Sequence, residues 1–505
     1  MTTFHDVLKR SIQIASGRTA LINGDESFTY TDLYDRCSRL VGGLKAIGCE
    51  KGERVAILAD NSHQYIETYV GVPSGGMVVV PMNTRHAIAE LKYALEDSGA
   101  KVLITDREDT GGLEELVDRV IRLPDDYEKL LAEATPAALG VDLSESDLAG
   151  LFYTGGTTGA SKGVMLSHRN LIANTHNWMS IVLHEDDTRT MIMAPLFHAA
   201  GSNGVLGGIW AGTLQVTLGA FAPGAALDLI EKHKINLTLG VPTMLAAIAE
   251  EQAVNPRDTS TIRLVAHGGS PIASEIVRRT GQAFPNAQLM EVYGATELSP
   301  LATVLPHEET LLDSDLIRSC GRPIYGNVVD ILDPEGNPLP CGEIGEVVVT
   351  GTNVMIGYWN KPEQTDAVLK NGSYWSGDLG YMDDEGFVFL VDRSKDMIVS
   401  GGENVYCTEV EEVLYKHEAV LEAAVFGVPD DKWGEAVHAV VVPREEHNNI
   451  DPKELIDFCH ERIAGYKTPK GITLQNDPLP KSGPGKVLKR ELRAPFWEDS
   501  DRNIS

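Results

Sequence analysis

Residues 152–168, FYTGGTTGASKGVMLSH, hold four glycines, three threonines, a serine and a lysine within a dozen positions, after an apolar run that reads as a strand. Backbone without Cβ atoms can approach a polyanion closely, and consecutive N–H groups can then point at its oxygens. The threonine hydroxyls add donors and Lys162 adds a point charge. These are the groups that cradle a triphosphate. A plain Gly/Thr surface loop is the alternative on this stretch alone. The Walker pattern is excluded, because Ser161 precedes Lys162 and Gly163 follows it. The dinucleotide fingerprint is excluded too, since the chain leaves as a strand through Gly163 and Val164 instead of opening a helix.

Other segments place a reactive side chain beside Gly or Pro: PLFHAAG at 195–201, GGSPI at 268–272, EVYGATE at 291–297, YWSGDLG at 374–380, DRSKDMIVSGGENVY at 392–406 and PKSGPGK at 480–486. A lone glutamate is usually surface, but Glu297 closes a turn that follows a strand, where a carboxylate suits a hard cation. His198 alone reads as a core histidine as readily as a functional one. Lys467, Lys470, Lys481, Lys486, Lys489, Arg490 and Arg493 cluster near the C-terminus. A solvated charged face is the default for such a cluster. Here it surrounds a Gly/Pro-bounded loop with Lys486 at its tip, placed to reach into another domain.

The elements that must position these groups belong to a large folded protein. At 505 residues the chain has room for several domains and an extensive core. Its 43% hydrophobic and 23% charged content argues against disorder. A net charge of −30 argues against nucleic-acid binding and against docking on anionic membranes. Cys37, Cys49, Cys320, Cys341, Cys407 and Cys459 form no CxxC pair, so free thiols in a reducing cytosol are expected. The His-Glu pairs at 184, 307, 417 and 460 lack the second histidine of a zinc motif. With no signal-like apolar core and no membrane-length apolar run, a cytoplasmic location is expected.

Periodicity predicts a helix over 31–48 with Leu33, Cys37, Leu40, Val41, Leu44 and Ile47 on one face. Strands at Arg54–Leu58, Met77–Pro81 and Lys101–Thr105 alternate with helices near Tyr65–Val72 and Ala87–Ser98. After the glycine loop, Ser167 caps a helix through Asn177. Strands follow at Thr190–Ala194, Leu214–Leu218, Leu237–Val241, Leu264–Ala266 and Leu289–Val292, with helices at Ala225–His233, Thr243–Glu251 and Ile272–Phe284. This alternation implies parallel sheets covered on both faces. From about Cys320 short strands and Asp-Pro-Glu-Gly turns take over, giving a small β-rich subdomain over 320–394. Glu409–Lys416, Val420–Val428, Ala436–Val442 and Pro452–Arg462 then read as α, β, β, α in a unit of about a hundred residues. The fold class is α/β: two packed α/β subdomains plus a β-rich subdomain in 1–394, then a small mobile α+β domain in 395–505.

With seven motifs in one order across essentially the whole chain, the sequence resembles the adenylate-forming superfamily of acyl-CoA synthetases, non-ribosomal-peptide adenylation domains and firefly-type luciferases. The resemblance implies an ATP-dependent acid–CoA ligase that makes an acyl-adenylate, releases pyrophosphate, and passes the acyl group to coenzyme A. It assigns Thr154, Gly155, Gly156, Thr157, Thr158 and Gly159, with Lys162, to the β- and γ-phosphates. Glu297 and Thr154 would hold Mg²⁺, and Tyr293 would offer a flat face to adenine. Gly269, Ser270 and Pro271, with Gly294, Ala295 and Thr296, would wall the purine and α-phosphate beside Glu291 and Val292. Asp378 and Arg393 would bind the ribose. Lys486 would bridge the acid and the α-phosphate, and His198 would gate an acyl pocket near Gly268. Because Lys486 would obstruct the thiol, the C-terminal domain is expected to swing about Lys395, bringing Ser400, Gly401, Gly402 and Glu403 to the site. The basic cluster could then meet the nucleotide end of coenzyme A.

Three departures from the commonest pattern stand out: Gly155 in place of serine, Ser161 in place of proline, and Cys407 where proline is common. None touches the charged roles. A medium- or long-chain fatty acid is the first expectation for the substrate. An aryl acid of cinnamate or benzoate type is the alternative, as is a stand-alone enzyme that loads a carrier protein. A non-catalytic nucleotide-binding scaffold would have lost Lys486, Glu297 or Asp378, and all three are present. The expected partners are therefore small molecules, with no nucleic acid and no transmembrane segment; a homodimer is admitted.

Overall fold

A computed structural model describes residues 2–154, 161–269, 272, 274–307, 314–393, 396–400, 403–430, 432–481 and 487–497; for Asn203, His307, Asp315 and Arg393 it describes the backbone alone. By packing, the chain forms two compact units, Met1–Val329 with Val349–Trp375, and Asp330–Val348 with Ser376–Ser505. A pivot at Lys395 concerns where the chain could turn, which is a separate property from compactness.

In the first unit, one sheet runs in the order Gly357–Tyr358, Lys162–Ser167, Leu148–Thr154, Val78–Pro81, Arg54–Leu58, Val102–Thr105, Arg119–Arg122. Its central strands, RVAIL, VVVP and VLIT, are buried on both faces, which is why they read as continuous apolar runs. Ala56, Leu58, Val78, Val80 and Leu103 pack there with Leu91 and Leu95 of the helix Ile88–Ser98. The larger sheet runs Arg322–Pro323, Leu301–His307, Gln288–Gly294, Leu264–Gly268, Leu237–Gly240, Arg189–Ile192, Leu214–Thr217, Thr19–Asn23, Glu26–Thr29. Neither sheet is purely parallel as expected. Lys162–Ser167, Glu26–Thr29 and Leu301–His307 each turn back antiparallel on a neighbour. Short hairpins permit this, whereas a parallel neighbour requires a long crossover.

Most predicted helices appear, with shifted ends. Tyr30–Ala46 is capped by Thr29 and Asp32 and stops one residue short of Ile47, which is 40% exposed instead of lying on the buried face. Ser167 accepts from Asn170 N–H to start a helix that continues past Asn177 to Ile181. The N-terminal helix Phe4–Ala15 begins with a Thr3/Asp6 capping box. Residues Ala199–Ala211 are helical despite four glycines, because the helix is held by its neighbours rather than by propensity.

A five-stranded sheet over Asn327–Leu332, Gly345–Gly351, Leu369–Lys370, Ser373–Met382 and Val388–Arg393 accounts for the β-rich grammar. Beyond it, Gly434–Pro443 pairs antiparallel with Val420–Asp430 and parallel with Gly471–Leu474. The helices Cys407–Tyr415 and Pro452–His460 bury Val410, Leu414, Leu455 and Cys459 against that sheet. All six cysteines are free, with Cys341 alone exposed. Among the described residues no helix is long and apolar enough to cross a membrane.

Candidate active site

The glycine loop joins two antiparallel strands. Thr154 ends Leu148–Thr154, Lys162 opens Lys162–Ser167, and the two are register partners. Gly155, Gly156, Thr157, Thr158 and Gly159 lie outside the described residues. Thr154 Oγ1 makes only a long 3.5 Å contact with Lys162 O. Lys162 Nζ stands 4.6 Å from the ring centroid of Tyr358, a cation–π distance. Tyr358 arrives on the short strand Gly357–Tyr358, which pairs with Met165 and Val164. Its hydroxyl donates to Glu297 Oε1 at 2.7 Å. Burial and the adjacent carboxylate hold this phenol well above the ordinary tyrosine range, so it stays a donor.

Glu297 is 9% exposed in the one-turn segment Thr296–Leu298, and Met355 N–H fixes its backbone by donating to Glu297 O at 2.8 Å. Lys162, Tyr358 and Glu297 thus form one chain of contacts at the base of the glycine hairpin. Nothing in the sequence periodicity marks Tyr358. Its position follows from strand pairing with residues far upstream.

Gly268 and Gly294 terminate neighbouring parallel strands, with Gly268 opposite Val292. A Cβ on Gly268 would stand 2.2 Å from Val292 O, and one on Gly294 would stand 1.8 Å from Pro300 O. Neither position admits a side chain. Gly269, Val292, Tyr293, Gly294, Ala295 and Thr296 are therefore brought together beyond the carboxyl ends of these strands, where ligands of open α/β sheets sit. Ser270 and Pro271 lie outside the described residues. Glu291, opposite His267, has its carboxyl pushed up to about 8 by burial.

His198 precedes the first turn of Ala199–Ala211, and its ring packs 4.5 Å from Phe197. Burial lowers its pKa to about 3, so the imidazole is neutral, and its Nε2 has no hydrogen-bond partner among the described residues. Behind this helix start lies a partly open apolar cavity. Trp178, Met191, Met193, Gly201, Gly204 and Leu239 are among the residues that line it. The lining includes neither His198 nor Gly268, the two residues expected to mark the acyl pocket.

In the second unit, Asp378 is 9% exposed and is the register partner of Arg393, so the two residues expected at the ribose occupy adjacent strands. The Arg393 side chain, Lys395, Gly401, Gly402 and Lys486 lie outside the described residues. Ser400 and Glu403 are register partners on antiparallel strands. Lys481 pairs with Val487 in an isolated antiparallel bridge.

Three members of the basic cluster are paired with carboxylates. Lys467 Nζ lies 2.7 Å from Glu409, Lys489 Nζ lies 2.7 Å from Glu411, and Lys481 is paired with Glu422. Cys407 makes use of its departure from proline: its N–H donates to Asp392 Oδ2 at 2.6 Å, a bond proline cannot make.

The AMP-binding enzyme family matches residues 8–359, and the AMP-binding enzyme C-terminal domain matches 409–486. A feruloyl-CoA synthase of Amycolatopsis sp is 41% identical over 495 residues, covering 96% of this chain and 98% of its own. The fatty acid–[acyl-carrier-protein] ligase ScoC of Streptomyces coeruleorubidus is 35% identical over 508 residues, covering 96% and 95%. A long-chain-fatty-acid–CoA ligase of Bacillus subtilis (strain 168) is 34% identical over 540 residues, covering 97% and 94%. The structure of ATP-bound MatB from Rhodopseudomonas palustris matches with a TM-score of 0.90 at 30% identity, covering 99% of both chains.

Proposed function

This chain belongs to the AMP-binding enzyme family, and from that premise we propose how its own residues divide the work and which acids it takes. It is an acid–CoA ligase that uses ATP, Mg²⁺ and coenzyme A. A carboxylate oxygen attacks the α-phosphorus, the bond to the β-phosphate oxygen breaks, and pyrophosphate leaves. The sulfur of coenzyme A then attacks the acyl carbon, the bond to AMP breaks, and the thiol proton passes to water. No covalent enzyme intermediate is required, so the protein's task is placement and charge neutralisation.

The observation that carries the assignment is the Lys162–Tyr358–Glu297 chain at the glycine hairpin. Lys162 neutralises the outer phosphates. Glu297, held by Tyr358 and joined by the Thr154 hydroxyl, fits a hard cation that takes one protein carboxylate and completes its shell with phosphate oxygens and water. Bound there, Mg²⁺ supplies charge neutralisation of the leaving pyrophosphate. Among the described residues no cluster of three or more His, Cys, Asp or Glu offers a rival site. Neutral His198 caps the helix whose Gly201 and Gly204 line the cavity and adds no charge there, and Asp378 with Arg393 receives the ribose.

Lys486 serves adenylation and then withdraws as the domain beginning at 395 turns about Lys395. Screening pyrophosphate release across acids of graded length and aromaticity tests the chemistry, and orthophosphate release would contradict it. Lys486→Ala should abolish acyl-adenylate formation yet leave thioester formation from supplied acyl-adenylate intact. Lys395→Pro should do the reverse.

For the acid, the reading is an aryl acid of cinnamate or benzoate type, supported by the 41% identical feruloyl-CoA synthase and by an apolar cavity walled in part by the indole of Trp178. A medium- or long-chain fatty acid is the second reading, favoured by the otherwise apolar lining and by the 34% identical Bacillus subtilis ligase. A cytoplasmic setting and a homodimer complete the proposal; free thiols support the former.

A further inference from the structure

One short segment holds the turn that carries Glu297. Asn353 is fully buried, and its carboxamide donates to Leu298 O at 2.6 Å and to Leu301 O at 2.7 Å. Two carbonyl acceptors take both amide hydrogens, which fixes the orientation of the side chain. Ser299, also fully buried, donates through Oγ to Asn353 O at 2.7 Å, so the two residues clasp each other. Further along the same segment, Met355 N–H donates to Glu297 O and the Tyr358 hydroxyl to Glu297 Oε1. Buried hydrogen bonds of this kind hold a turn in one arrangement, since breaking any of them strands a polar group away from water.

The far end of that turn belongs to the acid. Pro300 and Leu301 line the apolar cavity that serves as the acid's slot in the reading above. Leu301 is held by its backbone: Asn327 Nδ2 also donates to its carbonyl, at 2.9 Å, and its N–H donates to Asn174 Oδ1 at 3.1 Å. Asn353 is braced in turn, because Asn170 Nδ2 donates to the carbonyls of its neighbours, Thr352 at 2.9 Å and Val354 at 2.7 Å. Asn170 stands in the first turn of the helix that follows the strand opened by Lys162. A cation ligand and a cavity wall are therefore two ends of one turn, with Asn353 gripping it between them.

We propose that Asn353 is a positioning residue that ties the acid's cavity wall to the cation carboxylate, so that one side chain sets the placement of both partners in adenylation. This rests on the readings above of Glu297 as the Mg²⁺ ligand and of the cavity as the acid's site. Adenylation needs a carboxylate oxygen in line with an α-phosphorus whose leaving group is neutralised, and misplacing a reacting group by about 1 Å can cost about 100-fold. Without the Asn353 amide, Leu298 O and Leu301 O lose a common donor. The displacement then reaches Glu297 on one side and Pro300 on the other.

The test is pyrophosphate release by the full chain, read as the Mg²⁺ concentration for half-maximal rate and as the KM for the preferred acid. Asn353→Leu keeps the shape of the side chain and loses both donors, and each quantity should rise about tenfold or more. Ser299→Gly is the second variant. Ser299 has a φ of +63°, which glycine adopts without strain, so the variant loses the clasp to Asn353 O and keeps the backbone. Both quantities should then rise about 2- to 10-fold. A fall in kcat with both quantities unchanged, as a loss of folded enzyme would give, overturns the proposal. So does a rise in one quantity without the other. Should Asn353→Leu yield no folded chain, Ser299→Gly alone decides. Glu297→Gln, measured alongside, should raise the Mg²⁺ requirement; if it does not, the cation reading itself falls and the proposal with it.

Discussion

The hydroxyl of Tyr358 donates to Glu297 Oε1 at 2.7 Å across 61 residues of chain. The bond fixes one oxygen of a buried carboxylate by a donor that is itself held in a strand pair with Val164. Glu297 is thereby held in one orientation, and the Lys162 ammonium sits over the same ring.

Tyr358→Phe keeps the ring and its contact with Lys162 but removes the donor. Groups that orient a metal ligand typically contribute 10- to 100-fold to metal affinity, so the Mg²⁺ concentration for half-maximal pyrophosphate release should rise about tenfold or more. Titration of Mg²⁺ at saturating ATP checks this. An unchanged requirement would separate Tyr358 from the cation.

Gly204→Leu should block the slot, since a side chain there grows into open space. The KM for the preferred acid should rise about tenfold or more with the KM for ATP unchanged. Leucine is also the better helix former by about 0.5–1 kcal/mol, so thermal stability should hold or increase, which separates this effect from misfolding.

Glu291 predicts a pH dependence of folding. Its native carboxyl titrates at about 8 against an ordinary 4.5, so the native state keeps a proton that the unfolded chain has lost between those values. The contribution is complete below 4.5 and disappears as pH rises through 8. At about 1.4 kcal/mol per pH unit, and discounted for a side chain only half-buried by area, about 1–3 kcal/mol is at stake. Glu291→Gln should melt with the wild type at pH 5 and above it near pH 8.5, without nucleotide. Parallel melting curves across that range would remove the assignment.

Lys489→Met should destabilise the chain by about 3–5 kcal/mol, because it strands the buried Glu411 carboxylate without its cation. Adding Glu411→Leu should recover most of that loss. Urea unfolding of the two variants against the wild type decides the matter.

What could be read from the chain and what could not divide along physical lines. Thr154, Lys162 and Glu297 stand out as candidates in the sequence because glycine spacing and turn chemistry are local properties. Tyr358 does not, because it depends on Gly357–Tyr358 pairing with a strand roughly two hundred residues earlier. The carboxylate partners of the basic cluster were not visible for the same reason. Glu409 and Glu411 on the helix Cys407–Tyr415, and Glu422 on the strand Val420–Asp430, meet those lysines only after folding. Ile47 fell off its face because the helix ended one residue early, and element ends are set by caps that periodicity does not see.

The pairing of Lys467, Lys481 and Lys489 with carboxylates has a kinetic outcome for a protein whose formal charge is −30. A highly anionic thiol donor approaching such a body meets long-range repulsion before it meets any docking contact. Modest additions of inert electrolyte should therefore quicken its capture in rapid-mixing experiments, the opposite of the slowing seen where opposite charges steer two partners together.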